Sequence, residues 1–121
     1  MEKYNKKLGA IGETIAINYL KKNNFTVIEK NFFCKWGEID IIAEKNKRLH
    51  FVEVKTRTNL NYGRPEVAVT RQKYLRAKRA VLIYLRTHDY PQYLFQIDIV
   101  AVLYDYQENS AQIRYFPNIY R

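Results

Sequence analysis

The sequence predicts an α/β domain whose elements run α-β-β-β-α-β-β, with helices on the faces of a mixed sheet. Two stretches, Asn5 to Lys22 and Thr70 to Thr87, repeat apolar residues at helical spacing. Five shorter stretches are rich in β-branched and aromatic residues, as strands are. At 121 residues the chain reads as a single domain over 1–121, large enough for one core.

In the first helix Leu8, Ile11, Ile15 and Tyr19 form the apolar stripe. Ala10, Ala16, Ile17 and Leu20 widen it, which predicts packing on more than one side. On a wheel of about 100° per residue, Glu13 falls between Leu20 and Ile17. An acid in an apolar sector is costly unless it is paired or binds a cation.

Asn23-Asn24 ends the helix, and Phe25 to Phe33 reads as a strand. Gly37 opens a second strand, Glu38 to Glu44, and a third runs from Arg48 to Thr56. Lys45-Asn46-Lys47 is their hairpin turn, although it lacks the favoured Asn-Gly pair. Asn59 to Arg64 is a loop. Thr70 is the expected N-cap of the second helix, and Lys73 three residues on excludes a capping box. Tyr74, Ala77, Val81 and Leu85, with Tyr84, form its core stripe. Gln96 to Tyr104 is apolar enough for a central strand, and Gln112 to Phe116 suits an edge.

Composition excludes several classes. Apolar residues at 47% and charged residues at 27% are globular values, so disorder and low complexity are ruled out. No run approaches the ~20 apolar residues of a membrane helix. The charged opening residues Glu2, Lys3, Lys6 and Lys7 show no secretory pattern. A cytoplasmic protein with no membrane partner is expected. Cys34 is the single cysteine, which rules out an internal disulfide and a cysteine zinc site, and it reads as a plain strand residue. The unusual quantity is charge: 21 Lys and Arg against 12 Asp and Glu leave +9. A small basic protein points to a polyanionic partner, and added solubility is the alternative.

Folding the second and third strands about Asn46 and Lys47 pairs Ile42 with Phe51, Asp40 with Glu53 and Glu38 with Lys55. Alternation places Glu38, Asp40 and Ile42 on one face, with Phe51, Glu53 and Lys55 on the matching face. Two carboxylates directly opposite each other repel, more so when desolvated. A raised pKa relieves this, and so does a divalent cation held between them. Carboxylate oxygens suit Mg²⁺ or Mn²⁺. Lys55, one pleat from Glu53, is placed to hold an attacking water or to steady charge on a phosphate. Together these make a phosphodiester-hydrolysis set. The competing reading is a salt-bridge ladder on an exposed sheet face, which Ile42 and Phe51 on that face oppose.

Asp40 followed thirteen positions later by Glu53-Val54-Lys55 resembles the Asp…Glu-x-Lys signature of the PD-(D/E)XK nuclease superfamily. A longer match comprises Gly12-Glu13, Gly37 to Ala43, Phe51 to Arg57, Gly63 to Glu66, Val69-Thr70 through Lys73, and Asp98 within Phe95 to Val100. These resemble the YraN family of small bacterial nuclease-like proteins over essentially the whole chain. Ile39 stands where the superfamily's name has Pro. The resemblance implies a restriction endonuclease-like core similar to archaeal Holliday-junction resolvases, which work as dimers, so a homodimer is open. It implies Asp40 and Glu53 as ligands of Mg²⁺ (or Mn²⁺), the Val54 carbonyl as a further ligand, Lys55 as the catalytic lysine, and Glu13 reaching the site from the first helix.

Arg71, Lys73, Arg76, Lys78, Arg79 and Arg86 lie on the second helix with no acid between Thr70 and Thr87. They form a basic face suited to phosphates, and a merely solvated face is the alternative. Gln72 and Lys73 are placed to approach the site from the helix start. Arg57 and the loop with Tyr62 and Arg64 follow Lys55 closely; Tyr62 is the aromatic best placed to stack on a base. The expected nucleic-acid contacts are therefore Arg57, Tyr62, Arg64, Arg71, Gln72, Lys73 and Arg76, with DNA favoured over RNA. His50 and His88 read as structural. The expected function is metal-dependent hydrolysis of phosphodiester bonds in branched or damaged DNA. The alternative is a nucleic-acid-binding module that keeps the nuclease fold without turnover.

Overall fold

Seven elements form in the predicted order: α1 (Glu2–Lys22), β1 (Thr26–Cys34), β2 (Gly37–Lys45), β3 (Arg48–Arg57), α2 (Arg71–Thr87), β4 (Leu94–Asp105) and β5 (Ser110–Phe116). The computed structural model describes residues 2–59, 61, 70–89 and 94–119, with side chains from Lys6 onward. The strands form one sheet in the order β1-β2-β3-β4-β5. Only the β3–β4 pair is parallel among the described strands, and α2 lies between them in sequence, as a parallel crossover requires. The sheet is therefore mixed and α/β, with β5 at an edge and β4 inside, as the sequence predicts.

Each helix covers one face. Leu8, Ala16 and Leu20 of α1 pack on Ile41, Ala43, Val52, Val100 and Val102. Ala80, Val81 and Tyr84 of α2 pack on Ile39, Ile42, Leu49, Phe51 and Ile97. The expectation that α1 packs on more than one side is corrected: Gly9, Ala10, Thr14 and Asn18 are exposed, so the extra apolar residues broaden a single contact face. Thr70 caps α2 as predicted, accepting from the Lys73 amide at 3.2 Å. The β2–β3 turn is closed by Asn46 and Lys47, both left-handed with φ of 53° and 62°. Its register is the predicted one, from Lys45↔Arg48 to Ile41↔Val52.

Strict alternation fails in the β1–β2 ladder, whose register shifts between Val27 and Glu29 and which is interrupted again beside Asp40. Ile39 packs with Ile42 toward α2, whereas Ile41 and Ala43 face α1. In the β1–β2 ladder the recorded partners step from Lys30↔Ile41 to Phe32↔Ile39, passing over Asn31 and Asp40. Asn31 is left-handed, with φ of 56°. The two strands are kinked together there, and Asp40 is carried out of the regular pleat. Period-two reading assigns Glu38, Asp40 and Ile42 one common face, and this local kink is why it fails.

Candidate active site

The opened strand end beside that kink is where the acids gather. Among the described residues the β2–β3 pairs stop at Ile41↔Val52, so the expected Asp40–Glu53 and Glu38–Lys55 pairs do not form. Instead the Val54 amide donates to Asp40 Oδ2 at 2.8 Å. A side chain has replaced a backbone acceptor, and the strands diverge around it. Lys55 pairs along its own strand, with Nζ 3.1 Å from Glu53 Oε1.

Asp40 is half-buried, and its carboxyl is pushed up to about 8. Burial is the main cause; a side-chain hydrogen bond with Glu38 and the negative charges of Glu53 and Glu38 add to it, while the Val54 amide opposes. Glu13 is raised as well, first by burial and then by Glu38, against a hydrogen bond from Asn31 and the charge of Lys30. Four acids from α1, β2 and β3 thus act on one another. The like-charge strain inferred from sequence is present, but it is shared by Glu13, Glu38, Asp40 and Glu53 rather than held by one facing pair.

Gly12 sets the distance between α1 and β3. A Cβ at this position would overlap Thr56 Oγ1 and lie 2.8 Å from its Cβ and 2.9 Å from its Cγ2. Only glycine lets the helix lie this close to the residue after Lys55. Glu13, the next residue, is thereby held half-buried over the cleft, with Ile17 lining it alongside.

Two clefts share the Glu38, Asp40, Val54 and Lys55 wall. One, about 720 Å³, adds Glu13, Lys30, Asn31 and Arg57 on the α1 side. The other, about 420 Å³, adds Glu53, Lys73, Arg76 and Trp36 on the α2 side. Asp40 and Lys55 therefore line both clefts, with Glu13 and Arg57 in the first and Glu53, Lys73 and Arg76 in the second. Arg71 and Gln72 are exposed on the first turn of α2 and line neither cleft. Tyr62 and Arg64 lie outside the described residues.

Three features escape a sequence reading, the first two lining the clefts and the third lying outside them. Asn31 is one; its signal would have been a polar residue inside a strand pattern. Trp36 is another, a turn aromatic beside the glycine that opens β2. The third is the partner set of Asp98. This aspartate is fully buried, with Oδ2 2.7 Å from His50 Nδ1 and 2.6 Å from the Tyr115 hydroxyl. Its Oδ1 accepts from Gln96 Nε2 and from the Asn118 amide, each at 2.8 Å. His50 is structural, as predicted, and so is His88, which stacks on Tyr84.

Asp40, Glu53 and the Val54 carbonyl supply hard oxygen donors of the type Mg²⁺ and Mn²⁺ take, and Mg²⁺ keeps several waters. Among the described residues no group of three or more His, Cys, Asp and Glu side chains is arranged to hold a metal by itself. No helix among them is long and apolar enough to cross a membrane.

The family model described as uncharacterised protein family UPF0102 matches residues 12–102. A UPF0102 protein of Geobacter metallireducens is 38% identical over 120 residues, spanning 99% of this chain and 97% of the relative. One from Caldanaerobacter subterraneus is 44% identical over 103 residues, 84% of each chain. One from Clostridium acetobutylicum is 36% identical over 121 residues, 100% of this chain and 99% of the relative. The matched segment begins at Gly12 and takes in Glu13, Asp40, Glu53 and Lys55, and on these matches the chain belongs to the UPF0102 family, the group to which its YraN-like motifs point.

Proposed function

We propose that this chain is a divalent-metal-dependent nuclease that hydrolyses phosphodiester bonds in DNA. The observation that carries the reading is the meeting of Asp40, Glu53 and Lys55 at an opened strand end, within a protein of net charge +9. Acids in a basic protein repel its polyanionic substrate unless a cation intervenes, and the raised Asp40 carboxyl marks the strain that a cation relieves.

Asp40 and Glu53 would hold the ion, with the Val54 carbonyl beside them. A bound Mg²⁺ or Mn²⁺ supplies an acidified water and neutralises phosphate charge. Lys55 exchanges its Glu53 partner for the phosphate and stabilises the anion that develops there. Glu13, with its carboxyl raised by burial, faces the same cleft and can take a proton from water. Lys73 and Arg76 flank the cleft and orient the substrate backbone.

The test is a cleavage panel of single-stranded, duplex, flap and four-way DNA with Mg²⁺ and with Mn²⁺. Wild type cuts at least one form, and Glu53→Ala and Lys55→Ala each lose at least about a hundred-fold in rate while DNA affinity is retained. Wild type that cuts none of them overturns the reading.

The exposed basic residues Arg71, Lys73, Arg76, Lys78, Arg79 and Arg86 of α2 would equally serve a second reading, a nucleic-acid-binding module without turnover. It predicts no Mn²⁺ binding dependent on Asp40 and Glu53 in calorimetry.

A further inference from the structure

Trp36 is the chain's single tryptophan and is 39% exposed on the two-residue turn joining β1 to β2. Its place is fixed by Gly37, whose φ of 145° suits glycine and starts β2 in a sharp bend. The ring stands at the lip of the α2-side cleft, which Glu53, Lys55, Lys73 and Arg76 also line. Two cations attend it: the Arg79 guanidinium carbon lies 4.7 Å from the ring centroid, and Lys35 Nζ lies 5.3 Å from it. Arg76 and Arg79 are neighbours on α2, one turn apart. Arg76 and Arg79 therefore carry positive charge along α2 from the cleft to the indole.

We propose that Trp36 is a stacking platform for one unpaired nucleotide of DNA, so that the cleft takes single-stranded or frayed segments in preference to intact duplex. The proposal rests on the nuclease reading of the cleft and narrows its substrate class. Arg79 and Lys35 lie over the indole, so a base stacks on it by displacing one of them, and the displaced charge then serves the flanking phosphate. A base inside a duplex is already stacked on both sides and cannot reach the ring without being extruded. The arrangement also differs from a buried anchor. Neither Lys35 nor Arg79 is paired with a carboxylate in the recorded ion pairs among the described residues, so both can turn to phosphate as a base arrives.

Because Trp36 is the only indole, its emission reports this contact directly. The probes are a twelve-nucleotide oligothymidylate and a twelve-base-pair blunt duplex, titrated in EDTA at low salt, with labelled-DNA anisotropy as an independent measure of binding. The single strand quenches Trp36 emission as it binds, and the duplex binds with little quenching. Trp36→Ala weakens single-strand affinity about ten-fold and duplex affinity less than two-fold, while Trp36→Phe keeps most of the single-strand affinity. Binding by anisotropy with unchanged emission, equal quenching by the duplex, or an unaffected Trp36→Ala overturns the stacking role and leaves the nuclease reading standing. If neither DNA binds in EDTA or with Ca²⁺ in its place, both fall.

Discussion

The Val54 amide donates to the Asp40 carboxylate where the β2–β3 ladder ends, with 2.8 Å between nitrogen and oxygen. One carboxyl thus finishes a strand and lines a cleft. The two tasks conflict, because the first draws Asp40 out of water and the second needs it charged. The compromise is a proton retained by Asp40 at neutral pH, in a side-chain hydrogen bond with Glu38.

Without metal, this sets a pH dependence of stability. The folded carboxyl titrates near 8 and the unfolded one near 3.8, so folding retains a proton that the unfolded chain releases. Its stabilising contribution is full below the unfolded value and is lost as pH rises toward 8, by at most about 1.4 kcal/mol per pH unit. Asp40→Asn keeps an acceptor for Val54 and removes the titration. In EDTA, urea unfolding from pH 5 to 8 should show a falling midpoint for wild type and a flatter one for Asp40→Asn. Parallel curves refute this. Asp40→Ala should lose about 1–3 kcal/mol through the orphaned Val54 amide.

Gly12 and Thr56 make a second close relationship, with a different test. Alanine is about 1 kcal/mol better than glycine inside a helix, so Gly12→Ala would stabilise an unconstrained α1. Here the added methyl meets Thr56, whose β-branched side chain has little freedom to turn away. A net loss of about 1–3 kcal/mol is expected, together with weaker cleavage because Glu13 moves with the helix. Thr56→Ala removes two of the three close atoms and should recover part of the loss in a double-mutant cycle. Gly12→Ala as stable as wild type would show that the helix simply slides.

Much of this fold is legible from periodicity. The helices announce themselves through Leu8-Ile11-Ile15 and Tyr74-Ala77-Val81, and the hairpin register follows from the two residues between Lys45 and Arg48. Asp40, Glu53 and Lys55 could be brought near one another because hairpin register is a local rule, although alternation breaks at Asp40. Asn31 shows in sequence only as a polar residue inside a strand pattern; its left-handed conformation depends on the partner strand and on the Glu13 above it. The same kink sends Ile39 to the α2 side and cancels the expected Asp40–Glu53 pairing. Trp36 carries no periodic signal, because its position depends on a turn and on Arg79 from a distant helix. Asp98 shows in sequence only as a polar residue in an apolar strand; the four groups that satisfy it come from β3, β4, β5 and the segment after β5.

That buried carboxylate predicts the opposite pH behaviour to Asp40. Burial works against its charge, but His50, Tyr115, the Asn118 amide and Gln96 together outweigh it and hold the carboxyl below its ordinary value. The folded state therefore gives up this proton more readily than the unfolded chain. The resulting stability is present above the unfolded value near 3.8 and is lost as pH falls below it. Asp98→Asn keeps the shape but turns an amide hydrogen toward groups that also donate, so about 3 kcal/mol of stability should go at neutral pH. The variant's acid limb should then be shallower than wild type's when urea midpoints are followed from pH 6 to 3. His50→Gln separates the histidine's share: it removes one partner and leaves the other three, so its loss should be smaller than that of Asp98→Asn. An Asp98→Asn protein with wild-type stability and an unchanged acid limb would mean that the four contacts contribute no net stability to the fold.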